Sequence, residues 1–160
     1  MSTPATASLR QPVVSDRQLG IAWILLCLSL AVHVTDEALT DFLSVYNPTV
    51  IGFRAKLGFW PMPTFGFREW LTGLIVGVVI LLALSPLVFR GDRWMRPFFY
   101  FFAIVMVLNG LGHTIGTILG HTLPSIRFPR PMPGFYSSPL ILAAAIYALV
   151  QLRRTRSIGA

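Results

Sequence analysis

The 160-residue chain has a single cysteine, Cys27, so neither a disulfide nor a multi-cysteine metal site can be built from it. Charge is scarce too. Asp, Glu, Lys and Arg make up 12% of the residues, and six of them are acidic. No Gly-x-Ser-x-Gly elbow surrounds Ser137 or Ser138, and the chain carries neither a Walker-type loop nor a dinucleotide-binding fingerprint, which removes the common signatures of hydrolases and nucleotide-binding enzymes. What fills the chain instead is apolar. Hydrophobic residues reach 54% and the mean hydropathy is +0.69, values that suit an integral membrane protein and not a soluble domain.

Four stretches approach the roughly 20 apolar residues that cross a bilayer: 19–43, 70–89, 97–120 and 135–152. The expectation is an all-α, four-helix transmembrane bundle over 19–153, with a mobile tail at 1–18 and a basic tail at 154–160. A signal peptide over 1–31 fits less well, because helical spacing continues past Ala31 and cleavage would detach His33 from its helix. The net charge of +7 follows topology. Arg10, Arg17, Arg90, Arg93, Arg96, Arg153, Arg154 and Arg156 fall on one side, against Arg54, Lys56, Arg68, Arg127 and Arg130 on the other. Both termini are therefore expected in the cytoplasm of a multi-pass cell-membrane protein, the cytoplasmic membrane if the source is a bacterium. The partner implied is the lipid bilayer, with no nucleic acid and with a homo-oligomer left open.

The connection 46–68 interleaves prolines with Phe53, Phe59, Trp60, Phe65 and Phe67, which predicts an interfacial aromatic belt without a long helix. The proline-rich connection 121–134 predicts a loop with no helix of its own. Gly73 and Gly77, then Gly112, Gly116 and Gly120, recur at four-residue spacing and predict close helix packing.

His33, Asp36, Glu37 and Asp41 stand in or just beyond the first span, so half of the acidic residues gather there. A charged residue at mid-span costs roughly 2.5–3.5 kcal/mol, and such residues face a protein interior and carry function. At about 100° per residue, Ser29, Asp36, Glu37, Thr40 and Ser44 all lie within about 60° of His33. On the third span, Asn109 and His113 share the glycine face. His33 and His113 should also be level, roughly 20 and 24 Å from the cytoplasmic ends of their helices. Glu69 would come within reach, and His121, near the helix end, ranks lower.

The candidate catalytic residues are therefore His33, Asp36, Glu37, Asn109 and His113. Three chemistries fit. His33, Glu37 and His113 could ligate a divalent metal, zinc, iron or manganese; a carboxylate and an imidazole could form a general acid–base pair; or the polar network could only lock the helices. Ser137 and Ser138 read as helix-start hydroxyls.

His33-Val34-Thr35-Asp36-Glu37, with Asn109 and His113 on a later helix and a Pro-Gly-x-Tyr stretch opening the last, resembles the HXXEE family of small multi-pass membrane proteins. Asp36 replaces the first glutamate of the motif. The resemblance implies a site at these residues and names no reaction. The function expected is an enzyme acting on a lipid or other hydrophobic small molecule by acid–base or metal-assisted chemistry; the alternatives are a small ion or metal transporter subunit and a structural membrane subunit.

Overall fold

The computed structural model describes residues 15–128 and 130–156. Ser15 opens the first helix with a reciprocal cap: its hydroxyl accepts from the Gln18 N–H, and its own N–H donates to the Gln18 side chain. Helix α1 (Asp16–Leu39) therefore starts inside the stretch expected to be a tail. It also ends earlier than expected. Thr40 caps it, Asp41 turns left-handed at φ 57°, and the Phe42 N–H returns to the Glu37 carbonyl. Ser44 accordingly leaves the predicted polar stripe.

Helix α2 (Leu43–Leu57) occupies part of the connection expected to lack a long helix. Pro48 is its sixth residue, so a single ladder bond, to the Ser44 carbonyl, is lost. Asn47 clamps the returning chain, donating to the Phe65 carbonyl and accepting from the Phe65 N–H. Helix α3 (Phe67–Ala83) runs on through a break at Leu84 into the short α4 (Ser85–Phe89), and α5 (Met95–Leu119) follows. A small antiparallel hairpin, β1 (His121–Leu123) with β2 (Ile126–Arg127), folds the loop after α5. Helix α6 (Ser138–Arg156) closes the described chain, reaching beyond the expected boundary at 153. The tail expectations for residues 1–14 and 157–160 lie outside the described residues.

Asp16–Leu39, Phe67–Phe89 and Met95–Leu119 are long and apolar enough to cross a membrane. Helix α6 has 19 residues but carries Gln151, Arg153 and Arg154 in its last turns. It packs against both α1 and α5, which touch each other little, while α3 and α4 flank α1. One side of α6, Ile141, Ala145, Ala148 and Leu152, is buried at helical spacing against Trp23, Leu26, Phe99 and Ala103. Cys27 lies in this core. Trp23 stacks edge-on to Phe99 and donates its indole N–H to the Leu81 carbonyl, tying α1 to α3.

The outer faces are apolar as well. Ile21, Leu25, Leu28, Ile75, Val79, Phe101 and Ile104 are all exposed, far more than a water-facing surface carries and suited to lipid. Gly73 and Gly77 correct the packing expectation, because an added Cβ would meet nothing within 4 Å at either position. Gly112 is equally open. Gly110 and Gly116 are the close-packed glycines of α5, against α6 and Met132 respectively.

Candidate functional site

The last turns of α1 and α5 bring His33 and His113 together with their rings edge to face, 4.7 Å between centroids. The level expected from counting residues is met. Glu37, one turn beyond His33, places its Oε1 3.1 Å from His113 Nε2 and 3.6 Å from His33 Nε2. All three side chains are buried, with 0, 7 and 3% side-chain exposure for His33, Glu37 and His113, so the cluster is shielded from solvent.

The other ring nitrogens decide which way the protons point. His113 Nδ1 lies 2.5 Å from the Pro133 carbonyl, which can only accept, so Nδ1 carries the proton. His33 Nδ1 lies 2.7 Å from Ser137 Oγ. That hydroxyl has one proton and gives it to Asp36 Oδ2 at 2.7 Å, so it accepts from His33. The Nε2 atoms of both imidazoles therefore face the same carboxylate oxygen. With both rings neutral, these three electron-rich atoms in a buried chamber require a cation among them, either a proton or a metal ion.

The donor set also fits a metal by distance. Ligand atoms about 2.1 Å from a tetrahedral ion stand roughly 3.4 Å apart, and the two separations observed bracket that value. The three donor atoms all lie within 4.8 Å of one another. His33 Nε2 is buried without a hydrogen-bond partner, as a nitrogen reserved for a ligand would be. Each imidazole is held from behind by a carbonyl or a hydroxyl–carboxylate pair, the arrangement that orients metal-binding histidines.

The segment between the hairpin and α6 forms the roof. Gly134, at φ 81°, sits so close to the Glu37–His113 pair that a Cβ there would lie 2.7 Å from His113 Cε1 and 2.9 Å from Glu37 Cγ. Its N–H donates to the Thr40 hydroxyl, pinning the roof to the end of α1. Asp36 accepts the Ser137 N–H as well as its hydroxyl, so a carboxylate meets the start of α6, where the helix dipole favours negative charge.

Of the residues expected at the site, His33, Glu37 and His113 converge directly, and Asp36 acts one step back through Ser137. Asn109 is half-buried beside His113; its carboxamide stands next to His33 without completing a hydrogen bond to Nε2. Glu69 does not join. It is exposed and accepts the Gly66 N–H at the start of its own helix. Ser137 corrects the reading as a simple helix-start hydroxyl, and no local signal marks it, since its partners lie 101 and 104 residues away.

Ser137→Ala should leave the His33 Nδ1 proton unpaired and the ring free to turn. If the centre takes a metal, its affinity is expected to fall by about 10–100-fold, the range for losing an orienting partner, as measured by competition with a chelating dye; an unchanged affinity would remove Ser137 from the site. Compared with protein-family models, curated proteins and solved structures, the chain finds no match.

Proposed function

We propose that the chain is a membrane enzyme, a four-helix bundle with both termini cytoplasmic, whose His33–Glu37–His113 centre holds a divalent cation and acts on a lipid or other hydrophobic molecule. The observation that carries this reading is the convergence of two imidazole Nε2 atoms and one carboxylate oxygen, with each ring held at Nδ1 from behind. Zinc, iron and manganese all accept such nitrogen and oxygen donors. In the same reading, His33, Asp36 and Glu37 occupy the motif positions of the HXXEE family, with Asp36 serving through its hold on Ser137.

A bound cation would polarise a substrate oxygen or acidify a water. The protein's own groups do the rest. His113 and His33 keep their Nδ1 protons on the surrounding shell, Glu37 balances charge, Asn109 offers a carboxamide to orient the substrate, and the Gly134 roof excludes water. The 3.1 Å contact between His113 Nε2 and Glu37 Oε1 also supports a second reading, in which a proton shared by this pair performs acid–base chemistry without metal.

Elemental analysis of the detergent-purified protein separates the two. About one equivalent of a transition metal per chain is expected, from three ligands and one centre. Turnover of a lipid substrate by protein stripped to background metal would favour the proton pair. Ion flux across liposomes, with no metal held at the centre, would favour a transporter over either.

A further inference from the structure

We propose that the cleft between α2 and α5 admits an amphiphilic membrane lipid sideways from the bilayer, one chain lying along α5 and the head–chain linkage resting beside His113. The inference rests on the metal-centre reading for what happens at the linkage, but the cleft and its occupant stand on separate observations.

The cleft has a volume of about 370 Å³, at the lower end of the roughly 300–1,000 Å³ that small-molecule sites enclose. Its inner wall includes His113 and Asn109, so a bound molecule meets the centre itself. Its lip is formed by Leu108, Ile115 and Leu119, which are 63, 51 and 51% exposed on the apolar outside of α5. A mouth bounded by such residues opens onto lipid tails, not water. Between lip and wall the backbone is bare at Gly112, where an added Cβ would touch nothing within 4 Å.

Polar groups appear at the other end. Thr49 of α2 and Thr122 of β1 share a hydrogen bond there, and His121 keeps a buried Nδ1 with no partner. Two of these groups follow directly on the end of α5, whose last residue, Leu119, is about 9 Å beyond His113 at 1.5 Å per residue. The cleft thus has polar groups at two levels, Asn109 and His113 on its wall and Thr49, His121 and Thr122 at its far end, with Leu108, Ile115 and Leu119 forming an apolar lip along its whole length. A lipid standing in the bilayer would set its head at the far group, its linkage at the wall pair, and its chain out over Leu108. An unpaired imidazole nitrogen at the outer end suits a hydrogen-bonding head group.

Two other clefts fit less well. The one between α1 and α3 is lined almost wholly by apolar side chains and reaches none of the three donors. The one between α1 and α6 touches Asp36 and Ser137, one step removed from the centre.

The test uses the full chain in lipid nanodiscs with a lysophosphatidylcholine whose acyl chain carries a diazirine. After irradiation, peptide mapping should place the cross-links on residues 108–119 and on α2. Gly112→Phe, which fills the cleft, should reduce that labelling by about tenfold, equivalent to removing roughly 1.4 kcal/mol of binding, while Gly73→Phe on the open face of α3 should leave it unchanged. Ile115→Trp provides the same blockade if the first variant does not fold. Equal labelling of all lipid-facing helices, labelling concentrated on Val32 and Leu140, or insensitivity to both blocking variants would overturn the proposal. Metal content measured on the same samples is expected to stay at the wild-type level, so a failed cleft and a failed centre are told apart.

Discussion

Glu37→Gln is expected to yield a folded protein whose centre no longer holds the proposed metal. The amide keeps the size and shape of the carboxylate but removes the charge and one strong oxygen donor, and affinity should drop by more than about 100-fold, beyond what an orienting partner contributes. The metal-free protein should behave in the opposite way. The introduced carboxamide would present its own N–H groups to the Nε2 atoms of His33 and His113, whereas the metal-free carboxylate needs an added proton between itself and the rings. Thermal stability without metal should therefore be unchanged or raised. A structural ion pair predicts otherwise: removing the charge opposite a buried imidazolium costs about 3–5 kcal/mol. Thermal unfolding of the stripped wild type and variant, together with their metal content, reads both outcomes; a large loss of stability with no change in metal would refute the metal centre.

Gly134→Ala should damage the centre without touching any of its ligands. An alanine must adopt φ 81°, which costs about 1–2 kcal/mol for a residue with a Cβ. The added methyl must also find space where His113 Cε1 and Glu37 Cγ already stand, within 2.7 and 2.9 Å. Neither neighbour is the free end of a flexible chain: the imidazole is held by Pro133, and Glu37 is held by the helix beneath it. Overpacking adds about 1–3 kcal/mol, so the expected loss is about 2–5 kcal/mol of stability, together with a weakened metal site because the ring must move off Glu37. Differential scanning calorimetry with and without added metal would measure both. Wild-type stability and affinity in this variant would mean that the roof does not press on the pair.

The central trio could be read from the sequence because each half obeys a local rule. His33 and Glu37 are one helical turn apart on a stripe otherwise flanked by Leu, Val and Ala, and His113 shares a helix face with glycines; counting 1.5 Å per residue then brings the two imidazoles level. The supporting shell was not legible in the same way. Ser137 and the Pro133 carbonyl belong to a loop whose conformation is set by Thr40 and Asp36, about a hundred positions earlier, and nothing in the loop's own residues reports those partners. Helix α2 was hidden for a different reason. Proline and aromatic content argued against it, yet Pro48 forfeits only one ladder bond while Val45 and Val50 are buried and Asn47 secures the chain that follows. Glu69 could have been placed correctly, since an acid in the first turn of a helix is a common partner of its free N–H groups. The open glycines Gly73, Gly77 and Gly112 show that four-residue spacing marks a capacity for close approach that a helix can leave unused; the glycine of α5 that meets α6 is Gly110, outside that spacing, and Gly116 packs on Met132.

The bonds that close the roof over the site join positions 94 to 104 residues apart. During synthesis, α1 leaves the ribosome first, and at about 5–20 residues per second its imidazole and carboxylates wait roughly 5–20 s for Ser137 and Gly134. Throughout that interval the nascent segment carries its ionisable groups into the insertion machinery without the partners that later satisfy them. Biogenesis of this chain should therefore depend on factors that shelter the semi-polar end of α1 until α6 arrives.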